Sequence, residues 1–234
     1  MRDICYGSNS FETSGSQMNG FELIGVLALS ATATVQAYSI AVTDANAGAL
    51  SYHDGQFTGH LAPLYQCAID TVDQPFTVSI LPQVRALRML QNSEIDLVVP
   101  MAQSDERDDY AYFAAPLFTV RYLLYTLPGA ALKGSEHGIQ IAVNWSSASI
   151  VLIEALGHEV IPVDHHELAI GMVRRGRAHG AVIPESTAAT MTEELAGLVP
   201  HDYAQLPGGV YMNKNNTGLQ AAFNTAIQGC RPAL

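Results

Sequence analysis

The stretch Val84–Thr119, VRALRMLQNSEIDLVVPMAQSDERDDYAYFAAPLFT, decides the fold of this chain. Val84, Leu87 and Leu90 recur at helical spacing, and Asn92-Ser93 punctuates the end of that helix. Ile95 to Pro100 is a short apolar run of the kind that fills a parallel sheet covered on both faces. The loop after it, Ala102-Gln-Ser-Asp-Glu-Arg107, lies beyond the carboxyl end of that strand, where open α/β sheets bind ligands. An arginine placed there can grip a carboxylate through two parallel charge-assisted hydrogen bonds. An aromatic run, Tyr110 to Phe118, then leads into a second strand.

Leu90-Gln-Asn-Ser-Glu-Ile-Asp96, then Ser104-Asp-Glu-Arg107, then Tyr112-Phe-Ala-Ala-Pro-Leu-Phe118 together resemble the signature of the bacterial extracellular solute-binding proteins of family 3, the polar amino-acid-binding type. Two further pieces keep the same order. Gly55-Gln-Phe-Thr-Gly59 is similar to the hairpin before the first long helix, and Asn215 to Ile227 to the closing helix. The resemblance runs from about Ile40 to the C-terminus. It implies an α/β, two-lobed periplasmic-binding-protein fold, each lobe a mostly parallel sheet flanked by helices, the two joined by a two-strand hinge. It also implies a monomer that needs no cofactor and holds a small ligand in the cleft between lobes.

Composition narrows the partners. Charged residues make up 14% and apolar ones 48% of the 234 residues, a balance that suits a compact globular chain rather than a disordered one. A net charge of −11 removes the electrostatic case for nucleic acid or an anionic membrane surface. Near the N-terminus, Leu23 to Ser30 is a short apolar core, and Val35-Gln-Ala37 is a small-residue cleavage pattern before Tyr38. Residues 1–37 therefore read as a secretory leader, too short to span a membrane as a mature helix, which places the mature protein in the periplasm. The positive n-region is lacking, since only Arg2 precedes the core and Glu22 opposes it. A start at Met18 would make residues 1–17 an over-extended leader; the alternative is an apolar N-terminal helix that stays attached.

Along the mature chain, strand-like Ile40–Val42 is followed by a hairpin, a helix over 60–72, a strand over 76–81 and the unit already quoted. Tyr122–Leu127 reads as the first crossing to a second lobe. That lobe repeats the β/α alternation: strands at 140–143, 159–163 and 180–183, helices at 147–156, 166–175 and 186–196. Gln205–Tyr211 crosses back. The resulting lobes are 38–120 plus 209–234, and 121–208, with extended connections that form a hinge.

The resemblance carries over unevenly to the site. Arg107 matches the arginine that holds the ligand's α-carboxylate; the alternative is a surface pair with Asp108 or Asp109. Ala102 stands where a hydroxyl often assists that arginine. The aromatic that usually precedes the first-lobe loop is replaced by Ala47-Gly-Ala-Leu50, leaving Tyr52 as a substitute wall and Asp44 to meet a cationic group. In the second lobe Ala142-Val-Asn-Trp-Ser-Ser147 opens a helix. Ser146 or Ser147 would cap it, its backbone N–H groups would form an anion site, and Trp145 would wall the cleft or be ordinarily half-buried. Amino-acid binders place an aspartate for the α-ammonium after the next strand; here Pro184 stands at that place and Glu185 one residue on. Either Glu185 replaces the aspartate, or the ligand is not an α-amino acid, or Glu185 merely favours the first turn of the following helix.

The resemblance also returns the last helix to the first lobe, so Cys67 and Cys230 can form a disulfide; two unrelated thiols are the alternative. His158 and Asp164-His-His-Glu167 raise a metal site, which adjacent histidines at one strand end serve poorly. Three functions follow. The first is an exported protein that delivers a carboxylate-bearing solute to a membrane ABC transporter. The second is a sensing module for a membrane receptor. The third is a dehydratase-like enzyme using Glu185 as its acid.

Overall fold

The structure, a computed structural model, describes residues 37–130 and 138–230. Apart from Ala37, the leader read over residues 1–37 lies outside the described residues.

Chain order runs β1 (Tyr38–Thr43), the hairpin β2 (Ser51–His53) and β3 (Gln56–Thr58), α1 (Ala62–Val72), β4 (Phe76–Leu81), α2 (Gln83–Gln91) and β5 (Leu97–Ala102). It continues through α3 (Asp105–Tyr110), β6 (Ala111–Phe113), β7 (Phe118–Thr126), β8 (Gln140–Asn144), α4 (Ile150–Ala155) and β9 (Glu159–Val163). Last come α5 (His166–Arg174), β10 (Gly180–Pro184), α6 (Glu185–Ala188), β11 (Val199–Asn213) and α7 (Thr217–Cys230).

One sheet carries both lobes, in the order β4-β1-β5-β11-β7-β10-β8-β9, with β6 also paired to β11. The outer triplets β4-β1-β5 and β10-β8-β9 are parallel, as their crossover helices require. Between them the two crossing strands, β7 and β11, pair antiparallel with each other from Phe118↔Gly208 to Thr126↔Val199. The hinge is thus a two-strand ribbon, interrupted by a bulge between Asp202 and Ala204.

Alternation along each strand divides the core by face. Ile40, Val42, Leu97 and Val99 pack under α1 and α7 with Tyr65 and Phe223, while Ala41 and Val98 meet Ala86 and Leu90 of α2. In the other lobe Ala142, Ala181 and Ile183 face α5, and Ile141, Val143 and Val182 surround Ile153 of α4. β5 is buried from Leu97 to Met101, and its register with β11 shifts between Gly209 and Tyr211, alongside Pro100, which has no N–H for the ladder. Asp96 locks this lobe: its carboxylate accepts the Ser39 N–H and hydroxyl, both at 2.8 Å, and the Asn216 amide at the head of α7. Gly59 adopts φ 101°, and a Cβ there would collide with the carbonyl of Ala49. The Sγ atoms of Cys67 and Cys230 are bonded, joining α1 to α7 with their Cα atoms 5.8 Å apart.

Three elements differ from expectation. Arg107 sits on a helix, α3, rather than in a loop; Ser104 enters it in extended conformation, and Asp105 and Glu106 favour the first turn. The helix expected over 186–196 is the single turn α6, because the Thr190 hydroxyl and N–H both turn back to the Thr187 carbonyl. α4 begins at Ile150 instead of Ser147, since the Asn144 side chain and carbonyl first take the amides of Ser146 and Ser147 in a turn.

Candidate functional site

A cavity of about 330 Å³ opens where the carboxyl ends of β5, β8 and β10 meet the hinge strand β7. That volume suits a small molecule. Arg107, Ala102, Ser146, Ser147 and Glu185 all line it.

Arg107 dominates. Its side chain reaches back from α3 and is 5% exposed. Nη1 donates to the Ala102 carbonyl and Nη2 to the Ser146 carbonyl of the opposite lobe, both at 2.7 Å. Among the described residues no carboxylate lies within ion-pairing distance of it. Asp108, the surface partner considered above, is held elsewhere: Oδ1 accepts from the Tyr211 hydroxyl at 2.7 Å and Oδ2 from Gln103 at 2.8 Å. Burial, followed by the bond to Asp108, drives the Tyr211 hydroxyl far above its ordinary pKa, so it stays a donor. The guanidinium therefore brings a buried positive charge to the cleft wall, met among the described residues by carbonyl dipoles. A charge so placed is costly until an anion meets it.

The second-lobe wall is neutral and rigid. The Ser146 carbonyl accepts from Arg107 and also from Gln83 Nε2 at 3.0 Å, and the same amide donates to Ser146 Oγ at 2.9 Å. Ser146 Oγ in turn donates to Asn144 Oδ1 at 2.7 Å, and Asn144 Nδ2 to the Asp164 carbonyl at 2.8 Å. Ser147 Oγ shares a hydrogen bond with Ser149 Oγ at 2.8 Å, and burial raises the pKa of Tyr122 beside it on the cavity wall. Neither serine caps α4 with its side chain, and the amides of Ser146, Ser147, Ser149 and Ile150 bond within the turn.

Glu185 Oε1 accepts from Arg121 Nη1 at 2.8 Å, and Arg121 Nη2 donates to Asp202 at 2.7 Å. The pair is about half exposed, 42% for Arg121 and 48% for Glu185. Three predicted residues stand off the cavity wall. Asp44 is exposed at the end of β1, beside the lining residue Ala45. Tyr52 packs edge-on against Phe57 within the hairpin, ring centroids 5.0 Å apart. Trp145 is 47% exposed, and its backbone N–H donates to the Val163 carbonyl at 3.0 Å.

Sequence reasoning missed Gln83, Tyr122 and Arg121, which carry no motif, and weighed His166 only as a metal ligand. His166 lines the cavity from the start of α5; its Nδ1 is buried without a hydrogen-bond partner, and burial lowers its pKa. Among the described residues no three ligating side chains converge on a metal position.

No family model matches the chain, and no curated protein does. Solved structures do. A periplasmic domain of BvgS from Bordetella pertussis, called VFT2, superposes with a TM-score of 0.68 at 21% identity, covering 82% of this chain and 87% of that one. The arginine-, lysine- and histidine-binding protein ArtJ of Geobacillus stearothermophilus gives 0.66 at 16% identity, covering 83% and 89%. A histidine kinase sensor domain similar to periplasmic binding proteins gives 0.67 at 13%, covering 82% and 89%. This is the two-lobed periplasmic-binding-protein fold. At such identities the likeness establishes the fold alone, and function has to be argued from the cleft.

Proposed function

We propose that this chain is a periplasmic solute-binding protein that captures a small carboxylate-bearing ligand between lobes 38–120 plus 209–234 and 121–208, as a monomer, for a membrane ABC transporter. One observation carries the reading: the buried Arg107 guanidinium, without a carboxylate partner among the described residues, at the wall of a cavity of ligand size. Ala102 and Ser146 hold its plane through their carbonyls, and Ser147 and Tyr122 offer hydroxyls to the same space. Pre-positioned donors around a bidentate cation lower the ordering cost of capture.

Delivery to a sensor receptor is the second reading. BvgS VFT2 and the histidine kinase sensor domain share this fold, so fold does not separate uptake from sensing. The dehydratase-like reading has less support. Glu185 is half exposed and bonded to Arg121, the opposite of the dry pocket a carboxylic acid catalyst needs.

A thermal-shift panel of amino acids, simple carboxylates, dipeptides and aromatic acids against the full chain tests the proposal. A ligand at a hundredfold excess over its Kd is expected to raise stability by about 2.7 kcal/mol. Arg107→Ala is expected to abolish that rise. An affinity unchanged in Arg107→Ala would overturn the site assignment.

A further inference from the structure

The charges lining the cavity are unequal. Among the described residues two guanidiniums, Arg107 and Arg121, line it, against one carboxylate, Glu185. That carboxylate is already engaged with Arg121 at 2.8 Å. An α-ammonium seeking Glu185 would have to displace Arg121 or lie beside its like charge, and either alternative disfavours a cation there. Pro184, the residue before it, has no acceptor in its side chain and ends β10 opposite Tyr122. Among the described residues, nothing else on the second-lobe wall is anionic. Ser146, Ser147, Asn144 and Tyr122 offer hydroxyl and amide groups only.

His166 supplies the second, independent observation. Its Nδ1 is buried with no partner, in a side chain that lines this cavity. Burial lowers its pKa, so the ring is neutral at pH 7, and with Nδ1 covered it has one nitrogen left to present, as donor or acceptor according to tautomer. Such a ring suits a hydroxyl or carbonyl oxygen. It can accept one N–H of an ammonium, but it leaves that charge uncompensated.

From these observations, and resting on the carboxylate-binding function proposed above, we infer that the ligand is a small carboxylic acid lacking an α-ammonium, a hydroxy or oxo acid. Its carboxylate meets Arg107 and its uncharged oxygen meets the second-lobe wall at His166. Arg121 acts as the excluding element by occupying Glu185.

Isothermal titration of the full chain against matched trios tests this. Each trio keeps one side chain and changes only the α-substituent: L-alanine, lactate and pyruvate; L-glutamate, 2-hydroxyglutarate and 2-oxoglutarate; L-phenylalanine, phenyllactate and phenylpyruvate. In the trio that binds, an amine-free member is expected to bind about tenfold tighter or more than its amino acid. Arg121→Ala, which releases Glu185, is expected to narrow that ratio by favouring the amino acid. An amino acid binding tighter than its partners, with Arg107→Ala abolishing the binding, overturns the inference and leaves the proposed function standing. Binding in no trio, or binding indifferent to Arg107→Ala, overturns both.

Discussion

A single buried arginine shows what the cleft costs the unliganded protein. Arg107 is 5% exposed, with two carbonyls for company. Replacing it with an apolar chain of similar length removes that burden, so Arg107→Met is expected to stabilise the free protein by about 1 kcal/mol or more while abolishing carboxylate binding. Parallel urea melts and titrations would show the opposed effects; a variant both less stable and still binding would contradict the role. Arg107→Lys is expected to bind weakly, since an ammonium cannot span the Ala102 and Ser146 carbonyls and still present a fork to a carboxylate. His166 makes a second residue-scale prediction. Its folded pKa lies below the unfolded value, so the unfolded state takes up the proton first. Stability is then expected to fall as pH drops through about 6.5, and His166→Gln to flatten that part of the profile. Melting temperatures taken between about pH 7.5 and 5.5 would show it; identical slopes would remove His166 from the account. Arg107 was legible as a cleft residue because a motif surrounds it. His166 and Gln83 were not, because which residues from distant elements share a wall is set by tertiary packing.

At the scale of elements, the strand and helix periods were readable where burial is two-sided or one-sided without ambiguity. The apolar run into β5 and the spacing of Val84, Leu87 and Leu90 in α2 are examples. Reading failed where side chains compete with the backbone. Thr190 stops α6 after one turn, and Asn144 with Ser147 delays α4. Both failures fall next to the cleft, so the turns that break regular structure also place Glu185 and Ser146 on its wall. The bond between α1 and α7 is an element-scale device of another kind. It closes a loop across a sequence separation of 163 residues, and the last helix would otherwise hold to its lobe only through side chains such as Phe223. Cys230→Ser is expected to cost about 2–4 kcal/mol, read as a lower urea midpoint. Titration of the unfolded wild-type chain should find neither Cys67 nor Cys230 reactive unless reductant is added. Two reactive thiols under those conditions would refute the pairing.

Across the whole molecule, two pairs of cores are joined by the β7–β11 ribbon, and their cleft faces meet at the Ser146 carbonyl. Gln83 and Arg107 from one lobe both donate to that oxygen. Under the proposed function an incoming carboxylate would compete with Ser146 for Arg107, leaving Gln83 as the hydrogen bond to this oxygen, beside the packing of α6 on residues 44–46. A net hydrogen bond contributes about 1 kcal/mol. Gln83→Ala is therefore expected to shift the lobes toward an open arrangement and to weaken ligand binding by roughly fivefold, the fraction lost from the competent state. Small-angle scattering of the free variant should show a larger radius of gyration than wild type, returning to the wild-type value at saturating ligand. A weakened affinity with an unchanged radius would place Gln83 in direct contact with ligand rather than in lobe closure, because only a closure role couples the two measurements.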